Sequence, residues 1–130
     1  MNHDKKFYAC LSLALAETIA LLWFSALPSV ETIPTGGFTR PGDLDHFAAY
    51  AVYGFLWAGV FRFLAKPSKT GRREIFLLLL PVIIGSAVGA ASEAMQLFVP
   101  TRTADVLDWL TDTAGSSLGA VVALKFKTLI

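Results

Sequence analysis

The chain has 130 residues, of which 55% are AVILMFWYC and only 16% are charged, with a formal net charge of +1. Globular domains average about 25% charged residues and small ones need the most polar covering, so a mean hydropathy of +0.58 points to a bilayer. The same figures exclude an intrinsically disordered chain and a basic nucleic-acid binder, and the single cysteine, Cys10, excludes an internal disulfide or a zinc site built on paired cysteines.

A helix needs about 20 residues to cross the hydrocarbon core, so a chain of this length holds at most four spans. The first apolar run covers residues 7–28, with Lys5 and Lys6 ahead of it and Glu17 inside it. A cleaved signal has an apolar region of about 7 to 15 residues. This run continues through Leu21, Leu22, Trp23 and Phe24 and reads as a retained span. A segment rich in Pro, Gly and Thr, Ser29 to Asp45, separates it from the second run, 46–65, which Arg62 trims. The basic segment KPSKTGRRE leads to the third run, 75–98, and VPTRTAD leads to the fourth, 106–126. Only Ile75 to Ser92 reaches about 18 residues without a charge, and the other spans are inferred from the division of the chain. The expected architecture is all-α, a single integral membrane four-helix bundle.

Lysine and arginine in short loops stay in the cytoplasm. Lys5 and Lys6, then Lys66, Lys69, Arg72 and Arg73, then Lys125 and Lys127 fall on one side of a four-span topology. Both termini are therefore expected in the cytoplasm of a bacterial inner membrane. The loops with Arg40, Asp43 and Asp45 and with Arg102 and Asp105 are expected to face outward.

Polar residues within the spans keep helical spacing. His46, Tyr50 and Tyr53 stand at i, i+4 and i+7 and share one stripe. Glu93 and Gln96 are i and i+3, above Gly89, Ser86 and Gly85. Asp105, Asp108, Asp112, Gly115 and Gly119 follow at spacings of 3, 4, 3 and 4. Small residues let transmembrane helices approach closely, so these are the faces expected to be buried, with the carboxylates turned into the outward mouth of the bundle.

These residues resemble the VanZ-like membrane proteins. The resemblance rests on Asp43, His46, Phe47 and Tyr50 at the entry to the second span, and on Glu93, Gln96, Val99-Pro100, Arg102, Asp105, Asp108, Gly115 and Gly119. It covers roughly residues 43–119, and the combined spacing is more specific than any piece. Two departures stand out. No lysine occurs from Gly42 to Asp45, where the family usually has an acid-lysine pair, and Asp112 replaces a common asparagine. The resemblance implies a protein acting at the outer side of the cell envelope, because the family takes its name from a protein associated with resistance to the lipoglycopeptide teicoplanin.

Each polar residue also has a structural reading. Asp105 and Asp108 suit the N-cap and first turn of a helix, where acids meet the positive end of its dipole. Asp112 lies a turn deeper, beyond capping range, and a buried aspartate at mid-membrane needs a partner or water. Glu93 is too deep to reach headgroups with a short side chain and is expected to pair, with Arg102 as the nearby cation. The tyrosines suit an ordinary aromatic stripe equally well, Trp23, Trp57 and Trp109 read as interface or packing residues, and Glu17 as an intramembrane acid that bonds across the bundle or serves function.

Three functional classes follow. The first binds or modulates an envelope lipid, a lipid-linked cell-wall intermediate or a lipoglycopeptide at a polar site of His46, Tyr50, Glu93, Gln96, Arg102, Asp105, Asp108 and Asp112. The second is an enzyme on an outer-leaflet substrate, for which His46, Glu93, Asp105 and Asp108 are candidate ligands of a divalent metal and Arg102 a phosphate clamp. No HExxH, GxSxG or histidine pair at ligand spacing supports hydrolysis specifically. The third is proton or ion translocation through Glu17, Glu93 and Asp112, a thin pathway unless the protein oligomerises. The topology has a direct test. In a chain with Cys10 replaced, single cysteines at Thr35 and Ser68 should label from outside at Thr35 only, and the reverse pattern would overturn the outward site.

Overall fold

The computed structural model describes residues 2–28, 43–67 and 69–126. They form α1 (His3–Ala26), α2 (Asp43–Leu64), α3 (Arg72–Gln96) and α4 (Val106–Lys125). Each apolar run is thus a helix, as expected. α1 to α3 start a few residues before their runs because flanking charges extend a helix without entering the hydrocarbon: Asp43 and Asp45 occupy the first turn of α2 and Glu74 that of α3. Arg40 and Lys127, with most of the Ser29 to Asp45 segment, lie outside the described residues.

The helices alternate in direction. Ring contacts of His3 and Phe7 with Phe63 bring the start of α1 to the end of α2. Arg73, at the start of α3, donates from Nε to the Ala65 carbonyl at 3.4 Å and from Nη2 to that of Arg62 at 3.3 Å, closing the α2–α3 turn over the carbonyl end of α2. Gly71 sits in that turn at φ 69°, a left-handed conformation that a side chain would strain. α4 returns alongside α3, with Trp109 Nε1 donating to the Ser86 carbonyl and hydroxyl, both at 3.0 Å.

α4 packs most extensively against α2, next against α3, and not against α1. Glycines allow this. A Cβ on Gly119 would overlap the Ala51 carbonyl, one on Gly115 would crowd the Phe47 carbonyl, and one on Gly54 would overlap the Ser116 backbone. Gly85 and Gly89 of α3 face Ser116 and Asp112 of α4 in the same manner. Further along, Ala58 of α2 meets Ala120 and Ala123. The small-residue faces expected to be buried are therefore the contact faces.

Polarity is inverted relative to a water-soluble bundle. Asp112, Ser116, Ser92 and Gln96 are buried, whereas Ile19, Trp23, Val52, Ile83 and Leu110 are exposed. Such an apolar exterior suits lipid. α1, α2 and α3 are long and apolar enough to cross a membrane; α4 falls short in composition because its aspartates and hydroxyls lower its hydropathy, and of these Asp112 and Ser116 are buried.

Gly119→Leu should separate α2 from α4 and lower the thermal unfolding temperature in detergent, at a cost of about 3 kcal/mol from overpacking. Leu118→Ala, on an exposed neighbour, should change it little. Equal effects of the two would mean that the α2–α4 approach is not what holds the bundle together.

Candidate functional site

The end of the bundle formed by the close of α1, the start of α2 and the α3–α4 turn carries a cleft of about 370 Å³. Leu21, Phe24 and Ala49 supply apolar wall, and His46, Tyr50, Ser25, Ser92 and Arg102 supply polar groups. Asp45 stands exposed on its rim. The cleft is amphipathic: apolar side chains of α1 and α2 stand beside polar groups from α1, α2, α3 and the α3–α4 turn.

Arg102 takes its place from the turn that follows α3. Its Nε donates to the Leu27 carbonyl at 3.0 Å and its Nη2 to that of Phe24 at 3.2 Å. These carbonyls end α1, where a cation meets the negative end of the dipole. The expected Glu93–Arg102 ion pair is not formed. Arg102 has satisfied its fork on α1, and two of its five donors serve there, so the rest of the guanidinium is available to the cleft.

Glu93 has a different task. Its Oε2 accepts from the Asp105 amide at 2.7 Å, while Gln96 Nε2 approaches its Oε1 at 3.5 Å. Asp105 in turn accepts from the Leu107 amide at 2.8 Å and is the N-cap of α4. Two carboxylates therefore close the donors at the head of α4, the deeper one buried because it reaches up from α3. Thus Glu93, Gln96 and Asp105 fix the α3–α4 turn, and Asp108 occupies the first turn of α4. The candidate metal set of His46, Glu93, Asp105 and Asp108 is not assembled: among the described residues no group of three or more His, Cys, Asp or Glu side chains is gathered to hold a metal ion.

Asp112 answers its need for a partner through His46. Its Oδ1 lies 3.0 Å from His46 Nδ1, with the aspartate side chain fully buried and the histidine 27% exposed. The close α2–α4 approach makes the bond possible, because Gly115 sits against Phe47 one turn below. Among the described residues Asp112 Oδ2 has no hydrogen-bond partner, nor have the hydroxyls of Ser116, Tyr50 and Tyr53 or Nε1 of Trp57. Tyr50, Tyr53 and Trp57 continue the His46 stripe of α2 into the bundle, and Asp112 and Ser116 belong to α4. Glu17 is half-buried on α1, away from this end.

The sequence missed α1 as a wall of the site. Ser25 donates from Oγ to the Leu21 carbonyl at 2.7 Å and pairs with Ser92 Oγ. Since the Ser25 hydrogen is used, Ser92 is the donor in the pair. The available signal was Thr18 and Ser25 at i and i+7 in an otherwise apolar run.

Residues 4–127 match the VanZ/LLP1 family, which spans nearly the whole chain. The chain is a membrane protein of the helical-bundle class and belongs to the VanZ/LLP1 family. No curated protein and no solved structure matches it at a significant level.

His46→Ala should cost about 3 kcal/mol by stranding a buried carboxylate, and His46→Ala with Asp112→Ala should cost less than the two single changes summed. Tyr53→Phe should leave stability unchanged or raised, because its hydroxyl has no partner to lose. Thermal unfolding in detergent reads all four proteins. Strict additivity of the first pair would remove the His46–Asp112 bond from the account.

Proposed function

We propose that the chain crosses the bacterial cytoplasmic membrane four times with both termini in the cytoplasm, and that the cleft holds the anionic headgroup of an amphiphile in the outer leaflet. An envelope lipid, a lipid-linked cell-wall intermediate and a lipoglycopeptide share that chemistry. The observation that carries the reading is Arg102, tethered by α1 carbonyls at a cleft that also carries apolar side chains of α1 and α2. The tether removes much of the entropy cost of fixing a long side chain, and a guanidinium suits phosphate or carboxylate in two-point contact. Leu21, Phe24 and Ala49 offer acyl chains apolar surface at the cleft.

Support for the orientation comes from charge placement. Lys5, Lys6, Lys66, Lys69, Arg72, Arg73 and Lys125 cluster at the start of α1, around the α2–α3 turn and at the end of α4, the opposite end of the bundle from the cleft. The positive-inside rule then turns the cleft outward. α4, though less apolar, crosses with its partners because Asp112 and Ser116 are buried against them.

Purified protein should bind vesicles containing an anionic lipid more tightly than vesicles of phosphatidylcholine alone, and Arg102→Gln should weaken that preference about tenfold, or ~1.4 kcal/mol. In cells the same change should abolish any protection the protein gives against a lipoglycopeptide at unchanged membrane level. Undiminished vesicle preference in Arg102→Gln would remove this cation, and the reading built on it.

A further inference from the structure

Resting on the headgroup reading, we propose that His46 is the proton-transfer residue of the cleft, positioned by Asp112, and that the bound amphiphile is a phosphoester which the site hydrolyses. A carboxylate only accepts, so the 3.0 Å contact to Asp112 Oδ1 places the proton of neutral His46 on Nδ1. Nε2 then keeps its lone pair. It has no hydrogen-bond partner among the described residues, and His46 lines the cleft that Arg102 also lines. A buried carboxylate that fixes the tautomer of an accessible imidazole is an arrangement that suits general-base chemistry, and a cation lining the same cleft can hold the phosphoryl group where charge develops.

The step balances with water as the only co-reactant. Nε2 takes a proton from a water molecule as its oxygen forms a bond to phosphorus. The ester P–O bond breaks, and the departing oxygen takes the proton back from Nε2–H. One water is consumed, and an alcohol and a phosphate, or from a diphosphate ester a shorter phosphate ester with free phosphate, are formed. Asp112 touches no substrate and acts through the imidazole. Arg102 stabilises the phosphoryl oxygens and stays charged throughout.

Among the described residues the other acids and hydroxyls near the cleft are either engaged or unoriented. Glu93 is occupied by the Asp105 amide and Gln96, and the Ser25 hydroxyl by the Leu21 carbonyl. Asp45 is exposed on the rim and has no buried group to orient it.

Three measurements on the full chain test this. Nitrogen-15 NMR of histidine-labelled protein in detergent should show His46 protonated at Nδ1, and Asp112→Asn should shift the population toward Nε2–H; an Nε2–H wild type overturns the positioning. Vesicles carrying phosphatidic acid, or a polyprenyl diphosphate, should release phosphate with wild-type protein, with oxygen-18 from labelled water entering a phosphate product. His46→Gln should slow release about a hundredfold at saturating vesicle concentration, and Asp112→Asn should lower kcat more than it changes KM. Binding without release from either vesicle, or release unchanged in His46→Gln, overturns the proposal while leaving the headgroup reading in place. Loss of anionic-vesicle preference in the wild type would sink that reading, and this inference with it.

Discussion

The approach of α4 to α2 governs the rest of the molecule. Two helices with ordinary side chains pack with axes about 8–10 Å apart, and glycine contacts allow the near end of that range or closer. Here Gly54, Gly115 and Gly119 remove the side chains that would separate the backbones. At that distance a short aspartate on α4 reaches a histidine on α2, and the bond between Asp112 and His46 forms across the interface. With an alanine at 115 the same pair would be held apart, leaving a carboxylate buried without a partner.

Lipid supplies no hydrophobic force to bring apolar helices together, so packing and hydrogen bonds must do so. The chain places its polar groups accordingly. Indole-to-Ser86 bonds join α4 to α3, the Ser25–Ser92 pair joins α1 to α3, and the His46–Asp112 bond joins α2 to α4. Each links a different pair of helices. Among the described residues the exceptions are the hydroxyls of Tyr50, Tyr53 and Ser116, with Asp112 Oδ2, Trp57 Nε1 and Arg62 Nη1, and the two tyrosines lie along the α2 stripe that opens at His46.

Much of this was legible in the residues. Helix number, the buried small-residue faces and the family follow from periodicity and motif spacing, because a 3.6-residue repeat records which side of a helix is covered. The spacing could not say which polar groups meet. Glu93 and Arg102 are near in sequence and opposite in charge, yet Glu93 meets a backbone amide first and Arg102 reaches the carbonyls of α1, some 75 residues earlier in the chain. Backbone donors and acceptors carry no signature in a sequence. Asp112 illustrates the converse: its depth already demanded a partner, and His46, the histidine on the facing stripe, was visible, but only the packing angle decides that the two meet.

The two arginine forks show how the ends are organised. Arg73 closes over the carbonyls at the end of α2, and Arg102 over those at the end of α1. In both cases a cation from a later segment satisfies acceptors that an isolated helix would leave to water, which the neighbouring bilayer supplies poorly. The consequences differ. α2 is gripped along its length by α4, so Arg73 merely completes a turn. α1 buries few residues, Ala14 and Ser25 among them, and has no contact with α4. Its end is therefore held by Arg102 and Ser92 more than by packing. The residue that offers charge to the cleft thus also sets the position of the cleft's wall, which ties the shape of the site to the occupancy of that one guanidinium.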